Sequence, residues 1–257
     1  SKGSKMDQIY LSKNRSGMAA GTYVIIKPIK ISGRQKIEKP YFYNITALGP
    51  IKLEIINKIF TIVENSLEKI ENLIITGSFL EKGFSFNDID IIIISEKEEK
   101  TTEIAKEIER ELAVKAHIIL LTHKELMAGL ETDPLYSLML DRCVAKKRLI
   151  YKHKRKIDYK LLDLHLLKSK TLIENFDLID GHQKYDLTRN MVAIYLFIQN
   201  KKISYDLVNK EIIIMLNVES QSIKRNIMDK NEFLSNYKAF YNKTFSIILK
   251  NIKNGAK

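Results

Sequence analysis

Apolar residues recur along the chain with two different periods. From Pro50 to about Leu67, Ile51, Leu53, Ile55, Ile56, Ile59, Phe60 and Val63 form a broad stripe of helical spacing. Pro50 suits the first helical turn. Leu73–Thr76 and Asp88–Ser95 are short, Ile-rich runs bounded by turn residues, which predicts buried strands. A charged helix is predicted over Glu96–Leu112, with Ile104, Ile108 and Leu112 four apart, and another strand over Val114–Thr122. This order predicts a small mixed sheet with helices on one face.

Beyond Thr122 the pattern is helical. A short helix is predicted over Lys124–Leu130. Another opens at Asp133-Pro134, with Asp as cap, and runs to about Arg148. Further helices are predicted at Tyr159–Ile173, Lys184–Gln199, Ser204–Leu216 and Lys230–Ile252. Short links between long helices predict an up-and-down bundle. The fold class is therefore α+β: a sheet-bearing core over 49–125, then an α-helical domain over 126–257. Residues 1–48 read as a partly extended segment packing on the core. Within it Thr22–Ile31 has strand character, and Pro28 confines it to an edge. The aromatics Tyr41, Phe42 and Tyr43 suit packing on the next domain or stacking on bases.

The most specific chemistry lies between the first two predicted strands. Leu73–Thr76 ends at Gly77-Ser78, and Asp88-Ile89-Asp90 opens the next strand. Residues two apart on a strand share a face, so Asp88 and Asp90 present two carboxylates side by side. Such a pair suits a hard divalent cation, Mg²⁺ or Mn²⁺, shared with substrate phosphates. Gly77 permits close backbone approach, and amides beside it can bind phosphate.

Gly77-Ser78, the spacing, Asp88-Ile89-Asp90 and the apolar strand that follows resemble the DNA polymerase β-like nucleotidyltransferase superfamily, over about a third of the chain. The resemblance implies that the Gly-Ser turn contacts a nucleoside triphosphate and that Asp88 and Asp90 hold the catalytic metals. It also implies a third acidic residue on the strand at 114–122, where this sequence has none. His117 is the aligned candidate, as a general base. A polar residue at a sheet end is the other reading. Glu81, between the strands, is an alternative third carboxylate. Lys82 is a candidate for the leaving pyrophosphate or a solvated lysine. Arg189, in an otherwise apolar helix, is a candidate for the cleft wall or a structural ion pair.

The chain has 257 residues, 45% of them apolar, and a net charge of +12. The charge is unevenly spread. Residues 50–125 hold 10 Lys+Arg against 15 Asp+Glu, whereas residues 126–257 hold 24 against 14. The densest basic run includes Lys152, Lys154, Arg155 and Lys156, the candidate nucleic-acid contacts. RNA or another single-stranded nucleic acid is thus a candidate partner beside NTP. A general lysine richness of the sequence is the competing explanation.

The single cysteine, Cys143, excludes an internal disulfide or a cysteine-based zinc cluster and suits a reducing cytoplasm. No apolar run is long enough to span a bilayer, so no membrane partner is expected, and no secretory leader is expected either. The expected activity is metal-dependent transfer of a nucleoside monophosphate from NTP to a hydroxyl or phosphate acceptor. The alternative is a catalytically weakened member of the fold that binds RNA or a protein, antitoxin-like or regulatory. A small-molecule modifier of the aminoglycoside-modifying sort is a third reading.

Overall fold

A computed structural model describes residues 39–84, 86–97, 101–151 and 154–255, which lie within one compact unit. The expected strand at Thr22–Ile31 and the candidate Lys152 fall outside the described residues.

The chain is α+β. A five-stranded mixed sheet has the order β1-β5-β2-β3-β4, with β1 Tyr41–Tyr43, β2 Asn72–Thr76, β3 Asp88–Ile94, β4 Lys115–Leu121 and β5 Cys143–Ala145. Among the described strands only β3 and β4 pair in parallel. Helix α1, Pro50–Ser66, starts with its proline in the first turn. It packs with α2, Thr101–Leu112, over the odd-numbered face of the central strands: Leu73, Ile75, Ile89, Ile91 and Ile93. Each fully buried Ile there contributes about 2 kcal/mol.

The core helices α1 and α2 lie on one face, as the pattern predicts; what it does not predict is that the helices after the core cover the opposite face. Ile74, Ile92 and Ile94 pack with Leu126 and Leu130 of α3, His123–Thr132, and with Met139 and Leu140 of α4, Pro134–Asp141. Strand β3 can support two layers because Ile91–Ile94 is apolar on both sides. Thr122 and Glu125 form a reciprocal cap at the start of α3, and Asp133 caps α4.

The second difference is β5. The pattern carries a helix through to Arg148, but α4 stops at Asp141 and the next residues enter the sheet. Val144 pairs with both Phe42 and Ile75, so β5 fills the space between β1 and β2. Cys143, Val144 and Ala145 are fully buried. Small, apolar residues and two strand partners outweigh the helical continuation of the pattern.

After an irregular stretch beyond β5 the described chain is mainly helical: α5 Tyr159–Glu174, α6 Gly181–Ile198, α7 Tyr205–Leu216, α8 Ser220–Lys224 and α9 Lys230–Gly255. Helix α6 is central, with Met191–Phe197 buried throughout. A stretch apolar on all sides must be surrounded, and α4, α5, α7, α8 and α9 pack around α6. Among the described residues no helix is long and apolar enough to cross a membrane.

Candidate active site

The site forms where β2, β3 and β4 end beside the helical bundle. Thr76 is paired with Asp90, and Asp90 is in register with His117 on β4. After Thr76 the chain turns at Gly77, whose φ of +84° is disfavoured for side chains bearing a Cβ. A Cβ built on Gly77 would overlap Oδ2 of Asp90. The aspartate carboxylate therefore lies directly across the glycine backbone. Ser78 follows in a short 3₁₀ turn, Ser78–Leu80.

Asp88 and Asp90 are half-buried on one face of β3, with Ile89 buried on the other. Burial raises the Asp90 carboxyl above the ordinary range, and Asp88 adds to the rise, against a hydrogen bond with His117 that lowers it. His117 Nδ1 is 3.1 Å from Asp90 Oδ1. With Nδ1–H donating to the carboxylate, Nε2 is left as the acceptor of a largely exposed ring.

The turn is held from beneath by Lys52 of α1. Its buried ammonium donates to the carbonyls of Phe79 and Glu81, each at 2.6 Å, and lies 5.2–5.5 Å from the ring centres of Phe79, Phe84 and Phe86. Desolvation lowers its pKa, opposed by the nearby Glu81 carboxylate.

These residues open into a cleft of about 710 Å³. Its far wall comes from the bundle: His182, Tyr185, Asp186 and Arg189 of α6, Tyr205 at the start of α7, and Lys224 of α8. Arg189 is ion-paired with Asp186 at 2.8 Å and lies over Tyr185 and Tyr205. Lys224 binds both carboxylate oxygens of Glu81 at 2.8 Å, linking the turn to α8. Among the described residues five carboxylates line the cleft, Glu81, Asp88, Asp90, Asp180 and Asp186, against the cations Arg189 and Lys224.

The structure thus brings together Gly77, Ser78, Asp88, Asp90 and His117, with Glu81 and Arg189 on the cleft surface. Glu81 is engaged by Lys224. Lys82 is exposed and is not among the cleft-lining residues. Lys154 and Lys156 are exposed elsewhere. Arg155 turns inward, its guanidinium 5.3 Å from the Phe197 ring centre and Nη1 buried without a hydrogen-bond partner. Of the bundle wall, only Arg189 is among the residues expected from the sequence. The wall's signal is a polar and aromatic stripe on α6: His182, Tyr185, Asp186 and Arg189, spaced i, i+3, i+4 and i+7.

Among the described residues no group of three or more His, Cys, Asp or Glu side chains is arranged to hold a metal. The donor set on offer is the Asp88–Asp90 pair, which suits a hard cation that takes its remaining ligands from phosphate and water. The excess of carboxylates and the raised pKa of Asp90 are both features that a cation would relieve. No protein-family model matches the sequence, and no curated protein matches it.

Proposed function

We propose that this protein is a metal-dependent nucleotidyltransferase that moves a nucleoside monophosphate from NTP to a hydroxyl or phosphate acceptor, with RNA a candidate acceptor. The observation that carries the proposal is the Asp90 carboxylate lying across Gly77, with Asp88 beside it on β3. Phosphate-binding backbone and cation-binding carboxylates then share one mouth of one cleft. The similarity to the DNA polymerase β-like superfamily supports the same reading.

Asp88 and Asp90 are the residues to hold Mg²⁺ or Mn²⁺. Bound there, the ion supplies charge neutralisation to the phosphates and lowers the pKa of an attacking hydroxyl. Ser78 and the amides after Gly77 bind the phosphate oxygens. His117 is oriented by Asp90 and accepts the acceptor's proton at Nε2. Tyr185, Tyr205 and Arg189 give the cleft a flat, partly cationic wall for the rest of the nucleotide. Exposed Lys82 is a second-line partner for pyrophosphate as it leaves. Lys154 and Lys156 offer cations to a polyanionic acceptor. A single buried cysteine suits work in a reducing cytoplasm.

A second reading is a catalytically weakened protein of this fold that binds RNA or a protein partner. It is favoured by one observation: Glu81 is held by Lys224, β4 supplies His117, and among the described residues no third carboxylate is grouped with the pair.

The experiment is label transfer from each of the four α-labelled NTPs, with Mg²⁺ or Mn²⁺ and total RNA. Transfer that disappears in Asp88→Asn and Asp90→Asn supports the enzyme. Metal-dependent NTP binding without transfer to RNA, protein or small acceptors supports the second reading. Absence of both binding and transfer overturns the proposal.

A further inference from the structure

Two sequence segments about a hundred residues apart meet at the end of the sheet remote from the carboxylates. Tyr41 of β1 pairs with Ala145 of β5, which places Lys39-Pro40-Tyr41 beside Lys146-Lys147-Arg148. Together they line a groove of about 490 Å³. Lys39, Tyr41, Lys147 and Arg148 are exposed. Lys146 is ion-paired with Glu64.

The groove is built on a fixed frame. Asn72, at the start of β2, clamps the main chain of Lys147 from both sides: Lys147 N–H donates to Oδ1 at 2.8 Å, and Nδ2 donates to the Lys147 carbonyl at 3.1 Å. Lys146 N–H donates to the Leu73 carbonyl at 2.8 Å. The main chain of Lys146 and Lys147 is therefore held in a defined position just beyond β5. Thr76, which pairs with Asp90, is four residues further along β2, about 13 Å away at the usual strand rise. This groove is separate from the catalytic cleft.

We propose that this groove is a binding site for single-stranded nucleic acid. Lys39, Lys147 and Arg148 contact phosphates, and a base stacks on Tyr41. Like charges gathered from two segments leave a concentrated positive potential, which a phosphodiester backbone complements. Tyr41 supplies the flat apolar surface that a base needs, and only an unpaired base can leave its own stack to use it. A duplex would engage the cations alone. The site stands apart from the proposed chemistry, because none of its residues lines the cleft.

The test is fluorescence anisotropy with a labelled single-stranded RNA, its DNA counterpart and an RNA duplex, from about 50 to about 200 mM salt. Single strands should bind more tightly than the duplex. Charge reversal at Lys39, Lys147 and Arg148 together should flatten the salt dependence by about 2, roughly 0.7 per lost contact. Tyr41→Ala should weaken binding by about fivefold or more with the salt slope unchanged, while Tyr41→Phe binds as wild type. Unfolding curves establish that each variant is folded. As a control, charge reversal of the exposed bundle lysines Lys210, Lys238 and Lys250 should have a much smaller effect. Asp88→Asn with Asp90→Asn should leave strand binding intact, so failure of the catalytic proposal and failure of this one are distinguishable. Equal loss in the control, equal affinity for duplex, or Tyr41→Ala without effect would each overturn the proposal. So would binding to anionic phospholipid vesicles in preference to the single strand.

Discussion

Asp90 and His117 stand in register on neighbouring parallel strands, with the imidazole Nδ1 3.1 Å from the carboxylate Oδ1. The carboxylate is crowded as well as paired: burial and Asp88 together outweigh the imidazole and raise its pKa. A carboxyl whose pKa is raised on folding costs stability once it is ionised in both states. The cost vanishes below the ordinary carboxyl range and is complete above the raised folded pKa. Asp90→Asn should therefore stabilise the metal-free protein at neutral pH, on the order of 1 kcal/mol, with the gain fading as the pH falls through the carboxyl range. In Mg²⁺ the order should reverse, because wild type gains a ligand that the variant binds poorly. Thermal unfolding with chelator and with metal checks both halves. A destabilised metal-free variant would refute the account of Asp90.

The imidazole itself is largely exposed, so removing it should matter to chemistry and little to folding. His117→Ala is expected to lose about 100-fold in label transfer, the scale of general-base catalysis, while changing Tm little. His117→Asp adds an oxygen donor next to Asp90 and should enlarge the Mn²⁺-dependent thermal shift. Normal transfer by His117→Ala would remove the base from the mechanism.

Gly77 is the most sensitive backbone position in the site. Gly77→Ala combines a φ of +84° with a Cβ that overlaps the Asp90 carboxylate. The expected loss is roughly 2 kcal/mol or more in chemical denaturation, together with loss of metal- and NTP-dependent stabilisation. Wild-type stabilisation by NTP in the alanine variant would show that the turn does not bind phosphate.

Lys52 does not itself line the cleft, yet it holds the carbonyls on either side of Leu80 and packs against Phe84 and Phe86, which do. Lys52→Met keeps the apolar stem among the phenylalanines and strands both acceptors, at a cost of roughly 2 kcal/mol. NTP binding should weaken in parallel, since Ser78 sits at the head of the same turn. A stability loss without any effect on NTP binding would confine Lys52 to a structural role.

How far the sequence foretells this site depends on the range of the interactions involved. The run Asp88–Ile94 announces its strand and the shared face of its aspartates because the side-chain period of a strand is local. Pro50 and the Asp133-Pro134 cap of α4 announce their helices for the same reason. Strand β5 is not legible, because three small apolar residues after α4 look like its continuation until β1 and β2 are available as partners. The double covering of the sheet likewise follows from packing that only the assembled fold defines. The cleft wall is the extreme case. Arg189 stands out in its apolar helix, but Tyr185, Tyr205 and Lys224 each fit their own helices, and their meeting in the cleft that Asp90 lines follows from how α6, α7 and α8 pack. The basic run containing Arg155 misleads in the opposite sense: its charge is visible in the sequence, but its burial against Phe197 is not.

The placement of β5 has a consequence for how the chain acquires its fold during synthesis. Residues 143–145 lie in the middle of a sheet whose other strands all precede them. A nascent chain that has emerged only to residue 125 has β2 with one side unpaired, and Ile74 and Ile75 lack the partners that cover that edge. Such a fragment is a template for unwanted strand addition. The sheet becomes complete only when the segment after α4 threads between its first two strands, so the proposed catalytic carboxylates are in place before the sheet that supports them can close.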